Sequence, residues 1–198
     1  MQLYSSPFSP FGRKVRACAV AREIDRQITV HAVDANQGEV PELWAVNPLG
    51  KIPALVTVDG VGLFDSRVIC EFLDTVGDAP ALFPPHGGPR WRALLLQSLA
   101  DGIMDAAVLR RREVLRPDPR EATLARQRAK IERALAELEA TPPHRIVDIG
   151  VISVACALGY LDARFGHEPW REAHPALAAW HAEMAAMPWF ARTDPAAG

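Results

Sequence analysis

Two stretches in the first 80 or so residues place a hydroxyl at the start of a helix, where a chain can hold an anion. The first is Ser6-Pro7-Phe8-Ser9-Pro10-Phe11-Gly12-Arg13-Lys14-Val15-Arg16. Ser9 followed by proline is a helix start: serine is the N-cap, and proline takes the first helical position, where no N–H is needed. The free N–H groups of such an end carry partial positive charge, and a hydroxyl beside them can donate to a thiolate or an oxyanion. Read locally, Ser9 is also an ordinary N-cap, the commoner role. The second stretch, Asp65-Ser66, sets a carboxylate and a capping serine before Val68, Ile69, Phe72, Leu73 and Val76, which have helical spacing. Between the two lies Asn47-Pro48-Leu49-Gly50-Lys51-Ile52-Pro53, directly before a strand-like run. Pro53 cannot donate to a ladder and is a candidate for a cis bond, which would turn the N–H and C=O of Ile52 toward a ligand. An ordinary proline turn is the alternative.

Other chemistries lack their residues. Gly50-Lys51 has no glycine five positions before Gly50, so it is not a phosphate-binding loop, and Gly60 and Gly62 lack the third glycine of a dinucleotide fingerprint. His181-Ala182-Glu183 is not followed by the cysteine pair of a zinc deaminase. The six histidines show no metal-ligand spacing, and Cys18, Cys70 and Cys156 form neither a disulfide framework nor a CxxC pair. No metal is expected, and each cysteine reads as a small buried hydrophobe.

The elements that position these residues fall into two kinds. Up to about residue 76 the order is strand (Gln2 to Tyr4), helix from Ser9, strand (Ile28 to Ala32, apolar and polar alternating) and a short helix over Glu39 to Val46. A hairpin follows, Ala54 to Val58 and Val61 to Phe64 about Asp59-Gly60, and then the helix capped at Ser66. Beyond the Pro- and Gly-rich segment Gly77 to Gly88, only helices are expected. A long one carries Trp91, Leu94, Leu95, Leu99 and Met104 to about Leu115, and a second begins at Asp118-Pro119 with Glu121. An all-apolar one spans Ile146 to Leu161, and a last one opens at His174-Pro175. The boundaries are an α/β domain over 1–78, a linker over 79–88 and an all-α helical-bundle domain over 89–198.

The chain of 198 residues is long enough for two such cores, with 49% hydrophobic and 23% charged residues, which excludes disorder. Its 22 Lys and Arg against 24 Asp and Glu give a net charge of -2, which argues against a nucleic-acid partner. No signal peptide or membrane span is visible, and a cytoplasmic setting is expected.

Taken in order, the motifs resemble a cytosolic glutathione S-transferase over essentially the whole chain. The resemblance rests on Ser9 to Arg16, on Asn47 to Pro53 and on Phe64-Asp65-Ser66 with Ile69. Leu99 to Ala106 and Phe190-Ala191-Arg192-Thr193 look like the bacterial YibF-like subgroup. The resemblance implies a thioredoxin-like N-terminal domain that binds glutathione as co-substrate and a helical domain that forms the acceptor side. It implies that Ser9 hydrogen-bonds the glutathione sulfur, as in serine-dependent classes. Ile52 beside a cis Pro53 would pair with the cysteinyl part, Asp65 and Ser66 would hold the γ-glutamyl end, and Phe11 and Lys51 would complete the glutathione site. The shorter Asp65 departs from the Glu-Ser of many members. Cysteine-dependent and zeta-like chemistries are disfavoured, because no cysteine stands at or beside Ser9.

The implied activity is transfer of glutathione to a small hydrophobic electrophile, in a detoxifying homodimer. Arg67, Glu71 and Asp74 would be available to the partner. The acceptor pocket is expected at Phe8, Phe11, Met104 and Val108, with Arg111 or Arg112 at its rim; bundle core and solvated surface are the alternatives for these helical residues. A non-catalytic module that keeps the fold to bind a ligand or dock a partner is the competing function. The family's capping box before the buried helix is incomplete, with Arg145 in the cap position three residues before Asp148.

Overall fold

The computed structural model describes residues 1–34 and 39–195, and they divide into two compact units. One runs from Met1 to Pro85 and includes the chain from Pro188 onward; the other is His86 to Met187. The return of the last segment to the first unit has a local cause. Arg13, 5% exposed, lays its guanidinium over the Phe190 ring at 3.8 Å and donates to the Phe190 carbonyl at 3.2 Å. Arg192 also pairs with Asp25.

In the first unit β1 (Gln2–Ser5), β2 (Thr29–Ala32), β3 (Ala54–Val56) and β4 (Gly62–Leu63) form one mixed sheet of order β2-β1-β3-β4. β1 and β2 are parallel, as the crossover through α1 (Pro10–Ala21) requires, and the other pairs are antiparallel. β2 is an edge strand with all four residues exposed, so its alternation does not mark a buried face. The hairpin strands are shorter than expected because Thr57 closes the loop early. Its N–H donates to the Val61 carbonyl at 2.9 Å and its Oγ1 accepts the Val61 N–H at 3.1 Å, with Gly60 at φ 80°. Two helices complete the frame, α2 (Pro41–Val46) and α3 (Ser66–Asp74), α3 packing beside α1.

Asp74 is taken inside its own unit rather than offered to a partner. Its carboxylate accepts the N–H groups of Leu82 at 2.7 Å and Phe83 at 2.9 Å, and faces the Arg22 Nε at 3.4 Å. Arg22 also donates to the carbonyls of Val76 and Gly77, so one buried pair pins the segment after α3.

The second unit contains α4 (Gly87–Val114), α5 (Glu121–Ala140), α6 (Ile149–Phe165), α7 (Trp170–Ala173) and α8 (Pro175–Ala185); α9 (Pro188–Ala191) belongs to the first. α6 is the buried centre, with thirteen of its seventeen residues enclosed. It runs alongside α4 in the same direction. At their starts a Cβ on Gly150 would lie 2.8 Å from the Ala93 carbonyl, and at their ends the Arg110 guanidinium lies 4.5 Å from the Phe165 ring.

Two helix starts differ from expectation, and a third is met by a carboxylate from another helix. α6 begins at Ile149, not Ile146: Asp148 is itself the N-cap, accepting the Val151 N–H at 2.9 Å, and Arg145 pairs with Glu183 instead. Asp148 is 6% exposed and burial raises its pKa, with His144 Nε2 3.2 Å away as the offsetting partner. α5 has no Asp118 cap; Arg120 takes that place, its N–H held at 2.8 Å by Glu113 from the end of α4. α8 opens after His174 as expected, but its free N–H groups at Ala176 and Leu177 are met by Glu139 of α5 at 3.0 and 2.8 Å.

Candidate functional site

The strand register brings the three motifs of the first unit to one end of the sheet. Tyr4 pairs with Ala54 and Leu55 with Leu63. In antiparallel neighbours the end of β1 therefore adjoins the start of β3, and the end of β4 adjoins the same place. The loop through Ser9 leaves β1 there, Ile52-Pro53 enters β3 there, and Asp65-Ser66 follows β4 there. The N-termini of α1 and α3 both open from that end.

Ser9 is the α1 cap, 8% exposed, and its Oγ accepts the Gly12 N–H at 3.1 Å. Gly12 is required by close approach, since a Cβ would lie 2.0 Å from the Ser5 Oγ on β1. Phe11 is half-buried and Phe8 is 52% exposed. Lys14 is wholly buried, its ammonium 5.9 Å from the Phe11 ring centre.

The Ile52–Pro53 bond is cis. The ladder of β3 begins only at Ala54, so Ile52 lies outside it. Sequence reasoning gave Asn47 no role, yet it builds this loop. Only 2% exposed, it accepts the Leu49 N–H on Oδ1 at 3.0 Å and donates Nδ2 to the Lys51 carbonyl at 2.8 Å, which leaves the Lys51 side chain exposed beside Ile52. The Asn-Pro-x-Gly string, with Gly50 at φ 62°, is the signal that could have found it.

At α3 the cap is Asp65 rather than Ser66. The Asp65 carboxylate accepts the Arg67 N–H at 2.9 Å and stays exposed, while Ser66 is the first helical residue and 2% exposed. The cap shifts because the residue before Ser66 has the extended backbone and the carboxylate a cap needs. The Phe64–Asp65 bond is also cis.

The expected acceptor residues of α4 lie in the second unit and grade outward along the helix. Met104 is wholly buried and part of the core, Val108 and Arg111 are half-buried and Arg112 is exposed. Among the described residues no three His, Cys, Asp or Glu side chains converge as metal ligands, and no helix is long and apolar enough to cross a membrane.

The comparisons with known proteins agree with this frame. Residues 8–76 match the glutathione S-transferase N-terminal domain and residues 121–183 the glutathione S-transferase C-terminal domain. The uncharacterized GST-like protein YibF of Escherichia coli K12 is 36% identical, over 98% of each chain. A glutathione transferase family member from Pseudomonas fluorescens Pf-5, solved with bound glutathione, is 43% identical over 98% of each chain, at a TM-score of 0.93. A structure of a Pf-5 family member with bound S-(propanoic acid)-glutathione is 44% identical, covering 98% of this chain and 99% of that one, at a TM-score of 0.87. With its thioredoxin-like sheet, its helical second unit and likeness along nearly its whole length, the chain belongs to the glutathione S-transferase family.

Proposed function

We propose that this chain is a serine-type glutathione transferase. The thioredoxin-like unit binds glutathione and lowers the pKa of its thiol; the thiolate attacks a hydrophobic electrophile, for which the helical unit supplies the acceptor side. The observation that carries this reading is the bond at Ser9. Its Oγ takes the Gly12 N–H as an acceptor, and a hydroxyl that accepts still has its own proton to donate. Helix cap and thiolate donor are therefore compatible roles for one side chain.

The remaining assignments follow the same chemistry. The Ile52 backbone meets the cysteinyl part, the exposed Asp65 carboxylate meets the α-ammonium of the γ-glutamyl end beside Ser66, and Phe11 and Lys51 flank the tripeptide. Phe8, Val108, Arg111 and Arg112 are the acceptor contacts. The glutathione and glutathione thioether held by the Pseudomonas fluorescens proteins support a site of this kind. The energies suffice without a general base. A free thiol has a pKa of about 8.5, and lowering it by about two units needs about 2.7 kcal/mol. A hydroxyl donated to an anion contributes about 1.5–3 kcal/mol and the helix end about 0.3–1 kcal/mol.

The three cysteines are free and buried, as suits a reducing compartment. A homodimer is part of this reading: α4 exposes Trp91 by 70% and Leu95 by 71%, one turn apart, an apolar strip suited to a second copy.

The test is retention on immobilised glutathione together with turnover of an activated aryl chloride. Both are expected. Retention without turnover of any electrophile in a broad panel would instead support a binding module, and no retention would remove the reading.

A further inference from the structure

The string Phe190-Ala191-Arg192-Thr193 lies outside the glutathione site assigned above, yet it is held firmly against the first unit. The Arg13 guanidinium lies 3.8 Å from the Phe190 ring, and its Nε donates to the Thr193 Oγ1 at 3.5 Å. Arg192 pairs with Asp25 of the single turn Asp25–Gln27, which follows α1. Between this segment, the second half of α1 and the sheet lies a cavity of about 150 Å³. Leu3, Ala19, Val20, Ile28 and Val30 form its floor, and Arg16, Asp25, Arg192 and Thr193 its rim. All of them belong to the first unit.

The floor follows from strand register. Leu3 and Val30 are partners on adjacent parallel strands, and Ile28 stands two residues before Val30, so the three share a face. Ala19 and Val20 come to that face from α1. Leu3 and Ala19 are buried, Val20 and Ile28 half-buried and Val30 exposed, so the cavity opens beside the edge strand β2. The polar rim is already engaged within the protein. Arg16 donates to the Pro7 carbonyl at 3.4 Å, Arg192 and Asp25 neutralise each other, and the Thr193 hydroxyl donates to the carbonyls of the preceding turn. A charged ligand would therefore give up water for a rim whose charges are taken. The floor side chains offer water no hydrogen-bonding partner, and about 150 Å³ is the volume that takes one benzene ring.

We propose that this cavity, roofed by residues 190–193, is a second binding site in the N-terminal unit, for a small, neutral, single-ring or similarly compact apolar molecule. It is separate from the site at Ser9, Ile52 and Asp65, with which it shares no lining residue. The inference goes beyond the transferase reading and does not depend on it, since no bond is made or broken.

The experiment titrates the full chain, carrying isotope-labelled Ile, Leu and Val methyl groups, with toluene and follows the methyl resonances by NMR. Saturable shifts are expected at Leu3, Val20, Ile28 and Val30, with NOEs from toluene to the same methyls, and saturating glutathione should leave them in place. Val20→Phe fills the cavity from α1 and should weaken toluene binding by roughly tenfold or more, with the other methyl resonances kept. If that variant does not fold, Val30→Phe on the exposed edge strand makes the same test. Benzoate, of nearly the same shape, should bind roughly tenfold more weakly than toluene or worse. The site is overturned if shifts do not saturate below the solubility limit of toluene, or if glutathione displaces the probe. It is equally overturned if a folded, filled variant binds toluene as the wild type does, or if benzoate binds as well as toluene.

Discussion

Replacing Ser9 by alanine perturbs two things, and the structure allows them to be separated. The first is the helix cap. Gly12 is buried and its N–H bonds Ser9 Oγ at 3.1 Å, so Ser9→Ala leaves an enclosed donor without its acceptor. Such a loss costs about 1–2 kcal/mol, or a Tm drop of about 2–8 °C in a chain of this size. The second is the thiolate. Losing a donor worth about 1.5–3 kcal/mol raises the pKa of bound glutathione by about one to two units. At pH 7 the rate should fall by about tenfold or more when chemistry limits, and recover in part at higher pH. Most glutathione affinity should survive, because Ile52, Asp65 and Ser66 act on other parts of the ligand. Ser9→Thr keeps both the acceptor and the donor, so it should restore cap and thiolate together. The assay is ultraviolet titration of the bound thiolate in wild type, Ser9→Ala and Ser9→Thr, with thermal melts alongside. If Ser9→Ala melts lower but titrates along the wild-type curve, Ser9 is a cap only, and activation must come from backbone N–H groups at the start of α1.

Two further substitutions probe the frame. Gly12→Ala should destabilise by about 1–3 kcal/mol, because its Cβ would meet Ser5 Oγ at 2.0 Å; adding Ser5→Ala removes that atom, leaving contacts of 3.3 Å, and urea denaturation should show most of the loss recovered. Glu113 has its pKa lowered from 4.5 to about 2, chiefly by the hydrogen bond from the Arg120 side chain. Its contribution to stability is therefore whole above about pH 4.5 and is lost as the pH falls toward 2. Glu113→Gln should lower stability at pH 7 and flatten that part of the acid limb; an unchanged acid limb in urea midpoints between pH 5 and 2 would show the pairing to be inconsequential.

Much of the site could be read locally because its signals are local. A serine before proline starts α1 whatever surrounds it, since the cap bond closes over three residues. Asp59-Gly60 turns the hairpin because Gly60 supplies a positive φ, and a proline at the head of β3 takes the cis bond expected of it. What no local window contains is the partner supplied from far along the chain. Glu139 of α5 meets the start of α8, and Glu183 of α8 takes the Arg145 that was expected at the α6 cap. Asp74 looks like a surface charge in its own helix and becomes a buried anchor only because Arg22 and the Leu82–Phe83 backbone arrive beside it. The last segment joins the first unit through Arg13 and Phe190, 177 residues apart. Caps and turns are decided by bonds within a few residues, which the sequence lays side by side. Burial and charge pairing depend on which distant groups share a low-dielectric neighbourhood, and only the packed chain creates one.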